Sequence, residues 1–167
     1  MVGIEYEAVP VPRQRDVDRR DLMREDVLLA VHPDHPAVPK RGRVPLGACE
    51  HAAWASGHRG TGLDAVVRNV CNRLGGFEPD VRHRSDDALV LSALVASGRA
   101  VALLPALMTT AVPQVIARRV REERLQRTIF TSARSTTVAA PGVVAVRQAL
   151  HATARQVATA RRELEVL

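Results

Sequence analysis

Between residues 61 and 105 the chain passes twice from a helical pattern to a strand pattern, and no other stretch constrains the fold as much. Thr61 followed three residues later by Asp64 is a capping-box-like start, in which each side chain can satisfy an orphan backbone N–H. Leu63, Val66, Val67, Val70, Cys71 and Leu74 then recur at steps of three and four, the period of a helix with one buried side. Gly75 and Gly76 supply the left-handed residue that stops it. Pro79 biases Glu78 toward extended backbone, so a short strand follows through Arg84. Ser85 is placed to cap a second helix, with Asp86 and Asp87 in the first turn, where the helix dipole favours negative charge. Residues 88–96 are apolar almost all round, which predicts a helix buried on more than one side. Gly98 ends it, and Ala100-Val101-Ala102-Leu103-Leu104 before Pro105 reads as a strand covered on both faces of a parallel sheet.

Composition limits what can surround this segment. An apolar fraction of 46% over 167 residues is enough for one core, but aromatics are only 2%, so Val, Leu and Ala must build it. No run approaches the roughly 20 apolar residues of a membrane span, and no charged-then-apolar signal segment follows Met1, so a cytoplasmic protein is expected. Cys49 and Cys71 have no metal-ligand spacing and read as reduced, buried thiols. The net charge of +6 is carried almost wholly by arginine and raises the question of nucleic acid. The densest group, Arg118, Arg119, Arg121, Arg124 and Arg127, is interrupted by Glu122 and Glu123 and has no interleaved aromatics. It therefore reads as a solvated face rather than a base-stacking groove.

From the start of the chain, Ile4, Tyr6 and Ala8 share one face of a strand that leads into Pro10 and Pro12. Residues 13–26 are charge-dense and read as a surface connection, and residues 27–31 as a strand. His32 and His35 follow in a proline-held turn without a third ligand nearby, so no metal is expected there. A basic loop, residues 40–45, precedes a short helix from Leu46. Cys49 and His51 could suggest a nucleophile and its base, but nothing supplies an orienting third group or an oxyanion hole. The loop Ser56-Gly57-His58-Arg59-Gly60-Thr61-Gly62 is the most suggestive place chemically. Its small residues let a ligand approach the backbone, it feeds a helix N-terminus that favours an anion, and His58 and Arg59 add donors. A plain glycine-rich connection explains the same residues. After Pro105 a helical turn, strands at 115–117 and 125–134, and a long helix opened by Pro141 complete the chain. Val143, Val146, Leu150, Thr153, Val157, Ala160 and Leu164 share one stripe of that helix. Its charged tail is read as lying on its own domain or pairing with another subunit.

Three short motifs together resemble the effector-binding domain of LysR-type transcriptional regulators. They are Gly75-Gly76-Phe77-Glu78-Pro79, then Gly98-Arg99-Ala100-Val101-Ala102-Leu103-Leu104-Pro105 after Ser85-Asp86-Asp87, and the turn Pro33-Asp34-His35-Pro36. The sequence departs from the family pattern at Arg99 and Ala100, where an apolar residue and a glycine are usual. The resemblance implies an α/β, periplasmic-binding-protein-like (type 2) fold of two lobes, the second complete and the first partial. Residues 1–26 would be partial first lobe and crossover, 27–134 the effector-binding second lobe, and 135–167 the return to the first lobe with a long C-terminal helix. An incomplete first lobe would leave sheet edge and helix-packing surface exposed.

The resemblance also implies a function. The domain would be a small-molecule sensor and not an enzyme, needing no cofactor. It would hold an anionic metabolite between the lobes and couple it to the geometry of a homo-oligomer. DNA would be reached only through a helix-turn-helix domain outside this chain, and no membrane would be involved. Contacts to the effector are expected from Trp54, Ser56, Gly57, Thr61, His83, Ser85, Asp86 and Pro105. Ser56, Thr61 and Ser85 would donate hydrogen bonds, and Trp54 and Pro105 would form walls. Two other functions fit the sequence: a basic interaction or dimerisation module without a ligand, and an enzyme using Cys49 or Cys71.

Overall fold

Residues read from sequence as a surface connection form part of the longest strand of the protein, β2 (Val17–Val31). Charge density misleads there because the charges are paired. Arg19 meets Glu5 at 2.5 Å and Asp21 at 2.7 Å. Glu25 and Asp26 are fully buried. Arg127 reaches Glu25 at 2.7 Å, while Arg119 and Arg124 reach Asp26 at 2.5 and 2.7 Å. The arginine cluster is thus not the solvated face that its composition suggests. Three of its members hold buried carboxylates, which need such partners to leave water.

The computed structural model describes residues 1–36, 39, 41–109 and 114–167. Contacts divide the chain into one unit of Met1–Glu25 with Gln126–Leu167 and a second, continuous unit of Asp26–Leu125. The sequence-based boundary at 134/135 and this one at 125/126 differ by a single strand, β7 (Gln126–Arg134). That strand goes with the first unit because its partner is β1 (Val2–Tyr6), antiparallel with Val2 opposite Thr131 and Tyr6 opposite Arg127.

In the first unit β7 lies between β1 and β2. Pro141 opens the long helix α3 (Pro141–Thr159), as its missing N–H and fixed φ allow. The helical stripe read on to Leu164 ends earlier than expected. Past Thr159 the chain turns and adds β8 (Leu164–Val166), antiparallel to β2 with Glu25 opposite Leu164 and Met23 opposite Val166. The alternation Glu163-Leu164-Glu165-Val166 has the period of a strand, and it buries Leu164.

The second unit is built on the apolar end of β2, with β3 (Ala53–Ser56), β4 (Asp80–Arg84), β5 (Val101–Pro105) and β6 (Ile116–Arg118). β5 pairs antiparallel with β2, Leu104 opposite Leu28, and parallel with β3, Val101 opposite Trp54. β4 extends the sheet parallel to β3, with a register shift after Trp54 that sets Ala55 opposite His83 and Ser56 opposite Arg84. Every residue of β5 is buried, as its unbroken apolar run predicts. Helix α1 (Gly62–Val70) buries Val66, Val67 and Val70, widens through Cys71–Gly75, and stops where Gly76 turns left-handed at φ 74°. Helix α2 (Ala88–Ala96) buries Leu91, Ser92 and Val95. Its other side is not covered as expected, since Leu89 is 52% and Val90 47% exposed. Its cap is Asp87, which accepts the Leu89 N–H at 2.8 Å, rather than Ser85. Ser85 stands two residues too early and instead accepts the Asp87 N–H at 3.1 Å.

Candidate functional site

Strand β3 ends on Ser56, whose side chain is fully buried and whose Oγ has no hydrogen-bond partner. A buried hydroxyl in that condition is uncommon, since burial without a bond costs about 1–3 kcal/mol. The backbone around it is well held: the Ser56 carbonyl accepts the Ser85 N–H at 2.9 Å. The turn after it is tight. A Cβ on Gly57 would collide with Thr61 Oγ1 and stand 3.1 Å from Asp86 Oδ1, so only glycine fits without rearrangement.

Thr61 caps α1 as its sequence predicts, accepting the Asp64 N–H at 3.4 Å while its hydroxyl donates to the His58 carbonyl at 2.8 Å. The Ala65 N–H opens the helical ladder on the Thr61 carbonyl at 3.1 Å. The amides of Gly62 and Leu63 therefore precede the ladder, at the positive end of the helix dipole. The reciprocal half of the capping box does not form, because the Asp64 carboxylate turns to Arg84 at 2.7 Å. Arg84 also donates to the Gly57 carbonyl at 2.9 Å and so ties strand, loop and helix together. Burial pushes the Asp64 carboxyl up, but the Arg84 hydrogen bond and the Arg84 and Arg68 charges outweigh it and hold the group below the usual carboxylate range.

Across the loop, Asp86 accepts the His58 N–H at 3.0 Å, and its other oxygen lies 3.0 Å from His58 Nδ1. The backbone N–H of His58, with its ring, holds the Asp86 carboxyl below its ordinary range. Five of the residues singled out from sequence thus come together: Ser56, Gly57, Thr61, Ser85 and Asp86. His83 is half-buried in β4, opposite Ala55. The two expected walls lie in the core instead. Trp54 is fully buried, donates its indole N–H to the Cys49 carbonyl at 3.2 Å and packs 6.2 Å from the Phe77 ring. Pro105 is buried opposite Val27 in the sheet. Arg84 was not foreseen. Its pairing opposite Ser56 follows from the register shift after Trp54, which no sequence pattern announces.

The family model of the LysR substrate binding domain matches residues 6–155. The chain belongs to this family. Its fold is the periplasmic-binding-protein-like α/β fold, and solved LysR regulators share it. The regulatory domain of MetR, a LysR family regulator from N. meningitidis, aligns with a TM-score of 0.74 at 17% identity, over 99% of this chain and 77% of that one. The CcmR regulatory domain from Synechocystis, in complex with 2-PG, aligns with a TM-score of 0.75 at 16% identity, over 91% and 72%. Full-length CbnR complexed with its target DNA aligns with a TM-score of 0.66 at 22% identity, over 86% of this chain and 49% of that one. No curated protein matches the chain in sequence.

Other chemistries find little support in this LysR domain. Both cysteines are buried, and burial pushes the thiols up to about 11 at Cys49 and about 12 at Cys71. At neutral pH both thiols therefore stay protonated rather than forming the reactive thiolate. Among the described residues no group of three or more His, Cys, Asp or Glu side chains is placed to hold a metal, and no helix is long and apolar enough to cross a membrane. His32 turns inward on its own loop, its Nδ1 accepting the Asp34 N–H at 3.2 Å.

Proposed function

We propose that this LysR substrate-binding domain senses a small anionic molecule beside the end of β3, with the Ser56 hydroxyl donating to it. The observation that carries this reading is the buried Ser56 Oγ without a partner. An acceptor atom from a ligand would remove the penalty that this hydroxyl otherwise bears. The Gly57 turn leaves the backbone open to close approach, and the Gly62 and Leu63 amides favour negative charge. The start of α2 does the opposite, because Asp86 and Asp87 repel an anion there. That asymmetry favours the charged end of a ligand at α1 and, beside Ser85, whose hydroxyl can still donate, its neutral polar groups.

CcmR is in complex with 2-PG and the effector-binding domain of QuiR with shikimate, which supports a small molecule as the class of occupant. Binding would act by shifting the population of subunit arrangements in a cytoplasmic homo-oligomer, and through it the placement of DNA-binding domains.

A thermal-shift screen of small carboxylates tests the reading. At a ligand concentration of about 100 Kd the domain should gain about 2.7 kcal/mol, or roughly 5–10 °C in Tm for a chain of this size. Ser56→Ala should abolish the shift and yet leave the free protein as stable or slightly more so, since it removes an unsatisfied hydroxyl. Thr61→Ala should weaken the shift and also lower the Tm of the free protein. A panel without a hit, or a hit indifferent to Ser56→Ala, would defeat the proposal.

A further inference from the structure

Two arginines of the 118–127 group, Arg118 and Arg121, hold no buried carboxylate, and the second unit sets them beside another pair. The Val44 N–H donates to the Arg119 carbonyl at 3.0 Å and the Arg121 N–H to the Val44 carbonyl at 2.9 Å, a parallel bridge that lays the loop before Leu46 along residues 119–121. Val44 and Val120, the bridged residues, are fully buried. Their neighbours along the chain therefore face outward, as alternation along extended backbone requires. That puts Arg43, Arg119 and Arg121 on one surface, with Arg118 next along the chain and the exposed Arg41 two residues before Arg43.

The charges on this surface do not cancel. Among the described residues no carboxylate pairs with Arg41, Arg43 or Arg118, and Arg118 donates to the carbonyl of its neighbour Ala117 at 3.2 Å. Arg121 is 68% exposed and comes only within 4.0 Å of Glu122, whose two oxygens accept the Leu46 N–H. Asp26 is a single carboxylate shared by two guanidinium groups, those of Arg119 and Arg124, and their side chains stay 36% and 45% exposed. Glu123 is matched one to one by Arg73 at 2.7 Å. Six arginines thus stand against two carboxylates, Asp26 and Glu122, a surplus of four positive charges.

We infer that this surface of the second unit binds the phosphate backbone of duplex DNA without reading its sequence. Guanidinium groups suit phosphate, since their forked N–H donors match its oxygens. The aromatics of this unit, Trp54 and Phe77, are both buried, so unpaired bases find nothing to stack on and a duplex is preferred to a single strand. The choice of DNA among polyanions rests on the proposed coupling to DNA-binding domains; the surplus of charge does not.

Fluorescence anisotropy of a labelled duplex of about 20 base pairs and mixed sequence, titrated with the 167-residue chain at about 50 to 200 mM salt, tests this. With about four phosphates neutralised, the logarithm of the binding constant should fall against that of salt with a slope of about −3.6, a loss of roughly 150-fold over the range. Arg41→Ala and Arg43→Ala should each reduce the steepness by about 1 and weaken binding about tenfold at the lower salt. Both are exposed and without ion-pair partners, so urea unfolding of these variants should match the parent's. Arg155→Ala removes the same charge from an exposed position of α3 and should change neither quantity. Ser56→Ala should bind the duplex as the parent does, which keeps this result apart from that of the effector screen. A duplex of shuffled sequence should bind equally. The inference is overturned if the duplex is not bound at the lower salt, if a shuffled duplex binds differently, or if labelled polyglutamate or a single strand binds more tightly. It is overturned equally if Arg155→Ala weakens binding as much as Arg43→Ala, or if both loop variants bind unchanged.

Discussion

Replacing Gly57 by alanine asks whether Thr61 is what closes the turn between β3 and α1. The backbone at residue 57 is not left-handed, so the substitution meets side-chain obstruction rather than a forbidden conformation. The new Cβ would collide with Thr61 Oγ1 and stand 3.2 Å from Leu63 Cβ. The second contact can ease by a few tenths of an ångström. The first cannot, because Thr61 Oγ1 is pinned by the His58 carbonyl at 2.8 Å and the Asp64 N–H at 3.4 Å. Turning the threonine away gives up both bonds: about 1 kcal/mol for the cap and about 0.5 for the exposed hydroxyl bond, roughly 1.5 in all. Thr61→Ala forfeits the same two bonds and also removes the obstruction. The double variant should therefore cost about 1.5 kcal/mol rather than the additive value of about 3, a coupling of about 1.5. Urea unfolding followed by Trp54 fluorescence reads this directly, since Trp54 is the sole tryptophan and is buried in β3. Additive costs, or a Gly57→Ala chain as stable as the parent, would refute the argument.

Two further expectations concern titration and reactivity. The folded-state value of Asp64 is depressed, so its contribution to stability is present above the unfolded value and lost as pH falls through the folded one. Unfolding followed at Trp54 should show the second unit weakening below about pH 4, with a flatter slope in Asp64→Asn. Ellman's reagent at pH 7 should label Cys49 and Cys71 only at the rate of unfolding, and promptly in urea. Prompt labelling of the native chain would favour the enzyme reading.

What could be read from sequence was whatever the chain decides locally. The Thr61 cap, the left-handed Gly76, the end of α2 at Gly98 and the apolar strand β5 each depend on residues within a turn of one another. The failures depend on distant partners. Residues 17–26 looked like a connection because Glu25 and Asp26 are charged, and the arginines that allow their burial lie about a hundred positions on. Leu89 and Val90 looked like core because they are apolar, although nothing in their neighbourhood along the chain says what covers them. At the site, Ser56, Gly57 and Thr61 were legible as a glycine-rich loop entering a helix. Trp54 and Pro105, expected from the resemblance to wall a cleft, are buried in the core, and the apolar run before Pro105 had already read as covered on both faces. Arg84 was missed because a bulge reset the register.

The division of the chain sets an order of events during synthesis. Asp26–Leu125 is uninterrupted, so when residue 125 has emerged every partner within that unit is present, Arg119 and Arg124 for Asp26 included. Met1–Glu25 is made before that unit yet completed after it, for β1 must wait for β7 and Glu25 for Arg127. At about 5–20 residues per second, the nine residues of β7 take about 0.5–2 s to follow residue 125. For that interval β1, with Val2 and Ile4, lacks β7, the strand it pairs with in the folded protein. Codon changes that slow translation after residue 125 would lengthen the exposure of that strand without altering a single amino acid.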